Sequence, residues 1–164
     1  MTVQDVMTKP VATCRPETNL AEATALMWDN DCGVLPVAGE TGELVGIVTD
    51  RDICIALGTK NVRASDLVVR DVIRDVIKDH TFVCKSSDDI HTALQTMREG
   101  RVRRLPVVKD DALLEGIVSM DDVVLNARST DGKMGSGISQ GDAVTTLQAI
   151  YGRDDQFRGR SAAA

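Results

Sequence analysis

Residues 46–53 read GIVTDRDI, and 70 positions later residues 116–123 read GIVSMDDV. In a chain of 164 residues this duplication limits the fold more than any other feature, because both halves must build one local structure twice. Shifting by 70 lays the halves over each other without a gap: Asp5-Val6 on Asp75-Val76, Cys14 on Cys84, Ala23 and Met27 on Ala93 and Met97. Leu35-Pro36-Val37 falls on Leu105-Pro106-Val107. Leu44, Gly46, Ile47, Val48 and Asp52 fall on Leu114, Gly116, Ile117, Val118 and Asp122.

Each half reads the same way. A short helical turn (3–7; 72–77) leads to a brief extended segment, VATC or TFVC. A helix follows with apolar positions at helical spacing: Leu20, Ala23 and Met27, or Ile90, Ala93, Leu94 and Met97. Asn19 and Asp89 stand where an N-cap is useful. Then come a strand (VLPVA; RLPVV), a turn, a strand (LVGIV; LEGIV) and a second helix from the Arg51-Asp52 or Asp121-Asp122 pair. The expected class is α/β (α+β), with the order β-α-β-β-α written twice. A small sheet with helices on one face leaves its other face bare, so the halves should pack about a pseudo-two-fold axis as one interdependent domain. The expected bounds are 1–60 for the first repeat, 61–71 for a polar linker and 72–127 for the second repeat. Residues 128–164 then hold a flexible loop, a C-terminal helix and a tail. Val144, Leu147, Ile150 and Tyr151 form one face of that helix, which either closes the domain or seams a dimer.

Composition removes several function classes. Hydrophobic residues make up 43%, enough for a substantial core, but aromatics are only 2%. A net charge of −6 and few stacking rings argue against a nucleic-acid polymer as partner. No apolar run approaches the ~20 residues needed to span a bilayer. The N-terminal MTVQDVMTKP lacks the basic and apolar regions of a secretory signal, so a cytoplasmic address is expected. Cys14, Cys32, Cys54 and Cys84 contain no C-x-x-C pair and no histidine at ligand spacing, which points to small buried hydrophobes and no metal site. His80 and His91 read as isolated and exposed.

Leu-Pro-Val followed by Gly, two apolar residues, Ser or Thr, and an Asp three residues on, in two registered copies, resembles the CBS domain, found in pairs as a Bateman module. The resemblance covers residues 1 to about 127. It implies a regulatory, non-enzymatic module with no obligatory cofactor. Such a module binds AMP, ADP or ATP, sometimes NAD or S-adenosylmethionine, in clefts between the halves. Carried over, Asp52 and Asp122 take ribose hydroxyls while Thr49 and Ser119 support phosphate. Adenine lies beside Gly33 and Val34 or Arg103 and Arg104, with Thr13 and Val83 on the early strands. The chemistry agrees: an ionised carboxylate accepts from two vicinal hydroxyls, and the helix N-terminus beyond it favours an anion. The same Asp also suits a helix start on dipole grounds alone.

The cations do not repeat. Arg101, Arg103 and Arg104 make a local anion site in an acidic chain, although strand alternation puts Arg103 and Arg104 on opposite faces unless the chain bends. Gly33-Val34 occupies the equivalent place in the first half; Asp121 stands for Arg51, and Met120 for Asp50. The resemblance therefore implies that Thr49, Arg51 and Asp52 join Arg103 or Arg104 in one cleft that prefers polyphosphates. Ser119 and Asp122 join Gly33 and Val34 in a second, which takes a less charged adenosine ligand or stays empty. Exposed apolar positions such as Trp28 and Ile55, with the family resemblance, lead to an expected homodimer that regulates a separate protein. Two rivals stay open at this point: a dimerisation or stress-response scaffold without ligand, and a nucleotide-acting enzyme, for which the carboxylates are too scattered.

Overall fold

The computed structural model describes residues 1–75, 82–128 and 137–152. Helix α1 (Leu20–Asp29) starts at Asn19, whose Oδ1 accepts from the Glu22 N–H at 2.9 Å, and buries Leu20, Ala23 and Met27. Strands β1 (Val34–Ala38) and β2 (Leu44–Thr49) pair antiparallel, with Val34 opposite Thr49 and Val37 opposite Gly46. Helix α2 (Asp50–Lys60) follows and ends at Asn61, which takes the left-handed conformation at φ 52°. After a short strand β3 (Arg74–Asp75), the second repeat opens with β4 (Cys84–Lys85). Helix α3 (Ile90–Gly100) is capped by Asp89 and buries Ile90, Ala93, Leu94 and Met97. Strands β5 (Arg104–Val108) and β6 (Leu114–Ser119) repeat the register of β1 and β2, Arg104 opposite Ser119 and Val107 opposite Gly116. Helix α4 (Met120–Asn126) completes the second copy. The opening strand of each copy is minimal: Cys84 and Lys85 pair parallel to Val107 and Val108, and Cys14 makes one equivalent parallel bridge, to Val37.

The segments that precede the repeats are exchanged. Val3 N–H donates to Asp88 O at 2.9 Å, Gln4 N–H to Ser86 O at 3.0 Å, and Ile90 N–H to Met1 O at 3.1 Å. In mirror fashion, Val69 N–H donates to Thr18 O at 2.8 Å, Arg70 N–H to Pro16 O at 2.9 Å, and Leu20 N–H to Leu67 O at 3.0 Å. Thr8 bridges Ile117, as Arg74 pairs with Ile47. Each leader thus docks on the other repeat. Val3, Val6 and Met7 enter the core of the second repeat, and Val69 enters that of the first. Two three-stranded sheets result, β1-β2-β3 and β4-β5-β6. The hairpin tips also meet, where Leu114 N–H donates to Gly42 O at 3.1 Å.

These bonds correct the gapless alignment. Val3 is equivalent to Val69, so the leaders match at a shift of 66 while Cys14 and Cys84 match at 70. The second leader is four residues longer, and the sequence RDVIRDVI (Arg70 to Ile77) offers the same tetrapeptide twice. The fold uses the first copy: the turn lies at Val69–Asp71 in place of the expected 72–77, of which residues 76 and 77 lie outside the described residues. The stretch expected to be a polar connector accordingly carries Val69, which is fully buried.

Helix α5 (Gln140–Tyr151) packs on α3 and α4 and closes the second core, the first of the two expected roles. Its inward face is Ala143, Thr146, Leu147 and Ile150; Val144 and Tyr151 are exposed. The apolar pattern misjudged the face because Thr146, wholly buried, is polar and accepts from Arg98 Nη1 at 3.1 Å. No described helix is long and apolar enough to cross a membrane.

Candidate functional site

Alternation along β2 leaves Leu44, Gly46 and Val48 on the buried side and turns Ile47 and Thr49 to the other face. Pro36 and Ile47 from one sheet, with Pro106 and Ile117 from the other, form an apolar floor between the repeats. Above it lies a cavity of about 590 Å³, within the ordinary range of small-molecule sites. Thr49, Asp50, Arg51 and Asp52 form one wall, and Arg101, Arg103 and Arg104 another. Four arginines and two aspartates therefore line one cavity in a chain whose net charge is negative.

The Thr–Asp pair is built locally. Asp52 N–H donates to Thr49 Oγ1 at 3.1 Å; in return Thr49 N–H and Oγ1 donate to Asp52 Oδ2 at 3.1 and 2.6 Å. This reciprocal box satisfies the first turn of α2 and pins the carboxylate at the cavity wall. Ser119 and Asp122 build the same box on α4, with Oγ to Oδ2 at 2.6 Å. There the leader crosses closely: Thr8 Oγ1 donates to Asp122 Oδ1 at 3.1 Å, and a Cβ on Gly116 would lie 2.7 Å from Thr8 O. Ser119 itself is buried.

The structure brings Thr49, Arg51 and Asp52 together with both Arg103 and Arg104. Both arginines reach the cavity because Arg103 precedes β5 and is free of strand alternation. Gly33 and Val34 line this same cavity, which corrects their expected place beside Ser119 and Asp122. The reason is register: Val34 is the strand partner of Thr49 and must share its end of the sheet. Gly33 also leaves room for Asp50, whose Oδ2 would lie 2.9 Å from a Cβ there. Ser119, Asp122, Thr13 and Val83 are not among the lining residues. Phe82, one residue before Val83, is; its ring lies on Gly100, 2.5 Å from where a Cβ would be. Phe82 gave no signal in the sequence because a lone aromatic in a short leader carries no periodicity. Ile47 and Ile117 could have been found two residues back from Thr49 and Ser119, and Pro36 and Pro106 two residues on from their strand partners Val34 and Arg104.

Other groups are accounted for by packing. Burial pushes the thiols of Cys14 and Cys84 up to about 11 and about 12, so neither is a ready nucleophile. His91 is exposed but not isolated, lying 2.9 Å from Asp89 Oδ1 and 3.5 Å from Asp142 Oδ2. His80 lies outside the described residues. Among those described, no three His, Cys, Asp or Glu side chains cluster as metal ligands.

Two copies of one β-α-β-β-α unit, exchanged at their leaders around a pseudo-two-fold axis, define a paired-repeat module of the mixed α/β class. The family model of the CBS domain matches residues 3–59 and again 66–128, and the chain belongs to the CBS-domain family. It is 31% identical over 145 residues to the CBS domain-containing protein YhcV of Bacillus subtilis, covering 88% of this chain and 94% of that protein. Homoserine O-acetyltransferase of Methanobrevibacter ruminantium is 32% identical over 121 residues, 74% of this chain but only 23% of the enzyme. Among solved structures, that of CBSX2 of Arabidopsis thaliana in complex with AMP matches with a TM-score of 0.64 at 30% identity. The match covers 76% of this chain and 93% of that one. CBS pairs are in general regulatory, non-catalytic domains.

Proposed function

We propose that the cavity binds an adenine nucleotide, AMP, ADP or ATP, and that its occupancy is reported to a separate regulated protein. One observation carries this reading: the boxed Asp52 and four arginines line one cavity above an apolar floor between the repeats. Asp52 accepts from the ribose hydroxyls, Arg51, Arg103 and Arg104 meet the phosphates, and adenine lies on the floor beside Phe82. The AMP complex of CBSX2 supports the ligand class. NAD and S-adenosylmethionine carry the same adenosine and are weaker candidates, since neither presents a terminal phosphate group to the arginines. The Ser119–Asp122 side is assigned no polyphosphate, because Thr8 already holds Asp122 Oδ1 and Asp121 sits 3.8 Å from Arg104. A homodimer through the α1–α2 face, where Trp28 is 85% exposed and Ile55 is also open, in a cytoplasmic setting, belongs to the same reading.

The experiment is calorimetric titration of AMP, ADP, ATP, NAD and S-adenosylmethionine into the full chain and its Asp52→Ala and Asp122→Ala variants. One site per chain is expected. Asp52→Ala should lose about 1.5–3 kcal/mol of binding, with Asp122→Ala near wild type for ATP. Silence with all five ligands at millimolar concentration would replace the nucleotide reading with that of a dimerisation scaffold.

A further inference from the structure

Helix α5 begins beyond both matches to the CBS family, yet its last residue reaches the cavity wall. Tyr151 OH accepts from Arg103 Nη1 at 3.1 Å, and Arg103 lines the cavity. The helix that presents Tyr151 is firmly seated. Ser139 and Asp142 box its start, with Oγ to Oδ2 at 2.7 Å. Ala143 and Thr146 are buried, and Arg98 on α3 donates to Thr146. Arg128 N–H to Ile138 O at 3.0 Å and Gln140 N–H to Arg128 O at 3.2 Å stitch its entry to the end of the second repeat.

We propose that Tyr151 is a positioning residue for Arg103, and that through it the docking of α5 and the binding of the nucleotide's phosphates are coupled. The inference rests on the nucleotide reading above and extends it to a residue outside the paired repeats. A guanidinium carries five N–H donors in a rigid fork. Tyr151 engages one at Nη1, and the fork keeps further donors for a phosphate. Arg103 is otherwise a long, exposed side chain whose rotamer freedom would be lost on binding. A partner that holds it at the rim removes part of that cost beforehand. Coupling between two binding events is reciprocal, so a phosphate that immobilises Arg103 also steadies Tyr151 and the end of α5. Occupancy of a cavity between the repeats thereby becomes a change in the stability of a helix end on the outer surface, where a partner protein can read it.

The test is a double-mutant cycle on the full chain, with ATP affinity measured for wild type, Tyr151→Phe, Arg103→Ala and the double variant. Phe keeps the ring and removes only the hydroxyl. Tyr151→Phe should weaken ATP about 2- to 10-fold, and should cost nothing further once Arg103 is alanine. Hydrogen exchange across residues 140–151 should slow when ATP is added to wild type and stay unchanged in Arg103→Ala. Wild-type affinity in Tyr151→Phe, or additive losses in the double variant, overturns the coupling while leaving the nucleotide site intact. If AMP, ADP and ATP all fail to bind wild type, the nucleotide reading itself is overturned, and the coupling falls with it.

Discussion

Glycine is the residue whose two uses here differ most. Gly116 sits where the first leader crosses β6, and an added Cβ would lie 2.7 Å from the backbone oxygen of Thr8 and 3.3 Å from Met7 Sδ. A backbone oxygen cannot swing aside as a side-chain tip can, so Gly116→Ala must push the leader off the sheet. Gly58 lies inside α2, with nothing beyond the helix's own backbone within 4 Å of where a Cβ would stand and no special backbone angle. Gly58→Ala removes only the conformational freedom of an exposed helical glycine and should stabilise the fold by about 0.5–1 kcal/mol. Thermal unfolding of the two variants side by side checks this: the midpoint should rise for Gly58→Ala and fall for Gly116→Ala. A rise for both would mean that the leader does not cross where the structure puts it.

At the scale of the element, α5 starts on an ionised side chain that its cap holds in place. The Ser139 hydroxyl, then the Ser139 backbone N–H, holds the Asp142 carboxyl below its ordinary value of 3.8. A carboxyl with a folded pKa below its unfolded one stabilises the folded state above the unfolded pKa, and that contribution fades as pH falls through the folded one. The α5 cap should therefore be intact at neutral pH and weaken as the solution is taken below about pH 4. Ser139→Ala removes the hydroxyl at any pH and should cost about 0.5–2 kcal/mol. Hydrogen exchange of residues 140–151 at pH 7 and pH 3.5 would show both effects. Relative to the intrinsic exchange rate at each pH, protection should be lower at pH 3.5 in wild type and already reduced at pH 7 in the variant. Equal protection in all cases would remove the cap from the account of what seats α5.

The whole molecule is held together by the exchange of leaders. Val3 and Val69 are both fully buried, each in the core of the repeat it does not precede. Neither repeat can complete its core from its own residues. Val3→Ala and Val69→Ala should each cost about 1.5–3 kcal/mol, and in each case a single unfolding transition should move as a unit. Hydrogen exchange at increasing denaturant, followed at the buried amides of α1 for the first repeat and of α3 for the second, is the check. Divergence between the two in either variant would show two units that unfold separately.

How much of this could be read from the chain follows from which interactions are local. Helix faces, N-caps at Asn19 and Asp89, the antiparallel pairs and the Thr49–Asp52 and Ser119–Asp122 boxes depend on neighbours within a few residues. Their spacing is therefore written directly in the sequence, and the repeat doubles the signal. The convergence of Arg103 and Arg104 on Thr49 and Asp52 was also readable, through the family resemblance. The register of the second leader was not. RDVIRDVI offers two equivalent tetrapeptides, and only the hydrogen bonds of Val69 and Arg70 to Thr18 and Pro16, about fifty residues earlier in the chain, select the first. Nor was it written that Gly33 and Val34 share a cavity with the arginines, that Phe82 lies on Gly100, or that Tyr151 reaches Arg103. Each of these joins residues distant in sequence whose separate environments look ordinary. Period and propensity report what a residue does to its own helix or strand, whereas packing between elements decides which distant side chains meet.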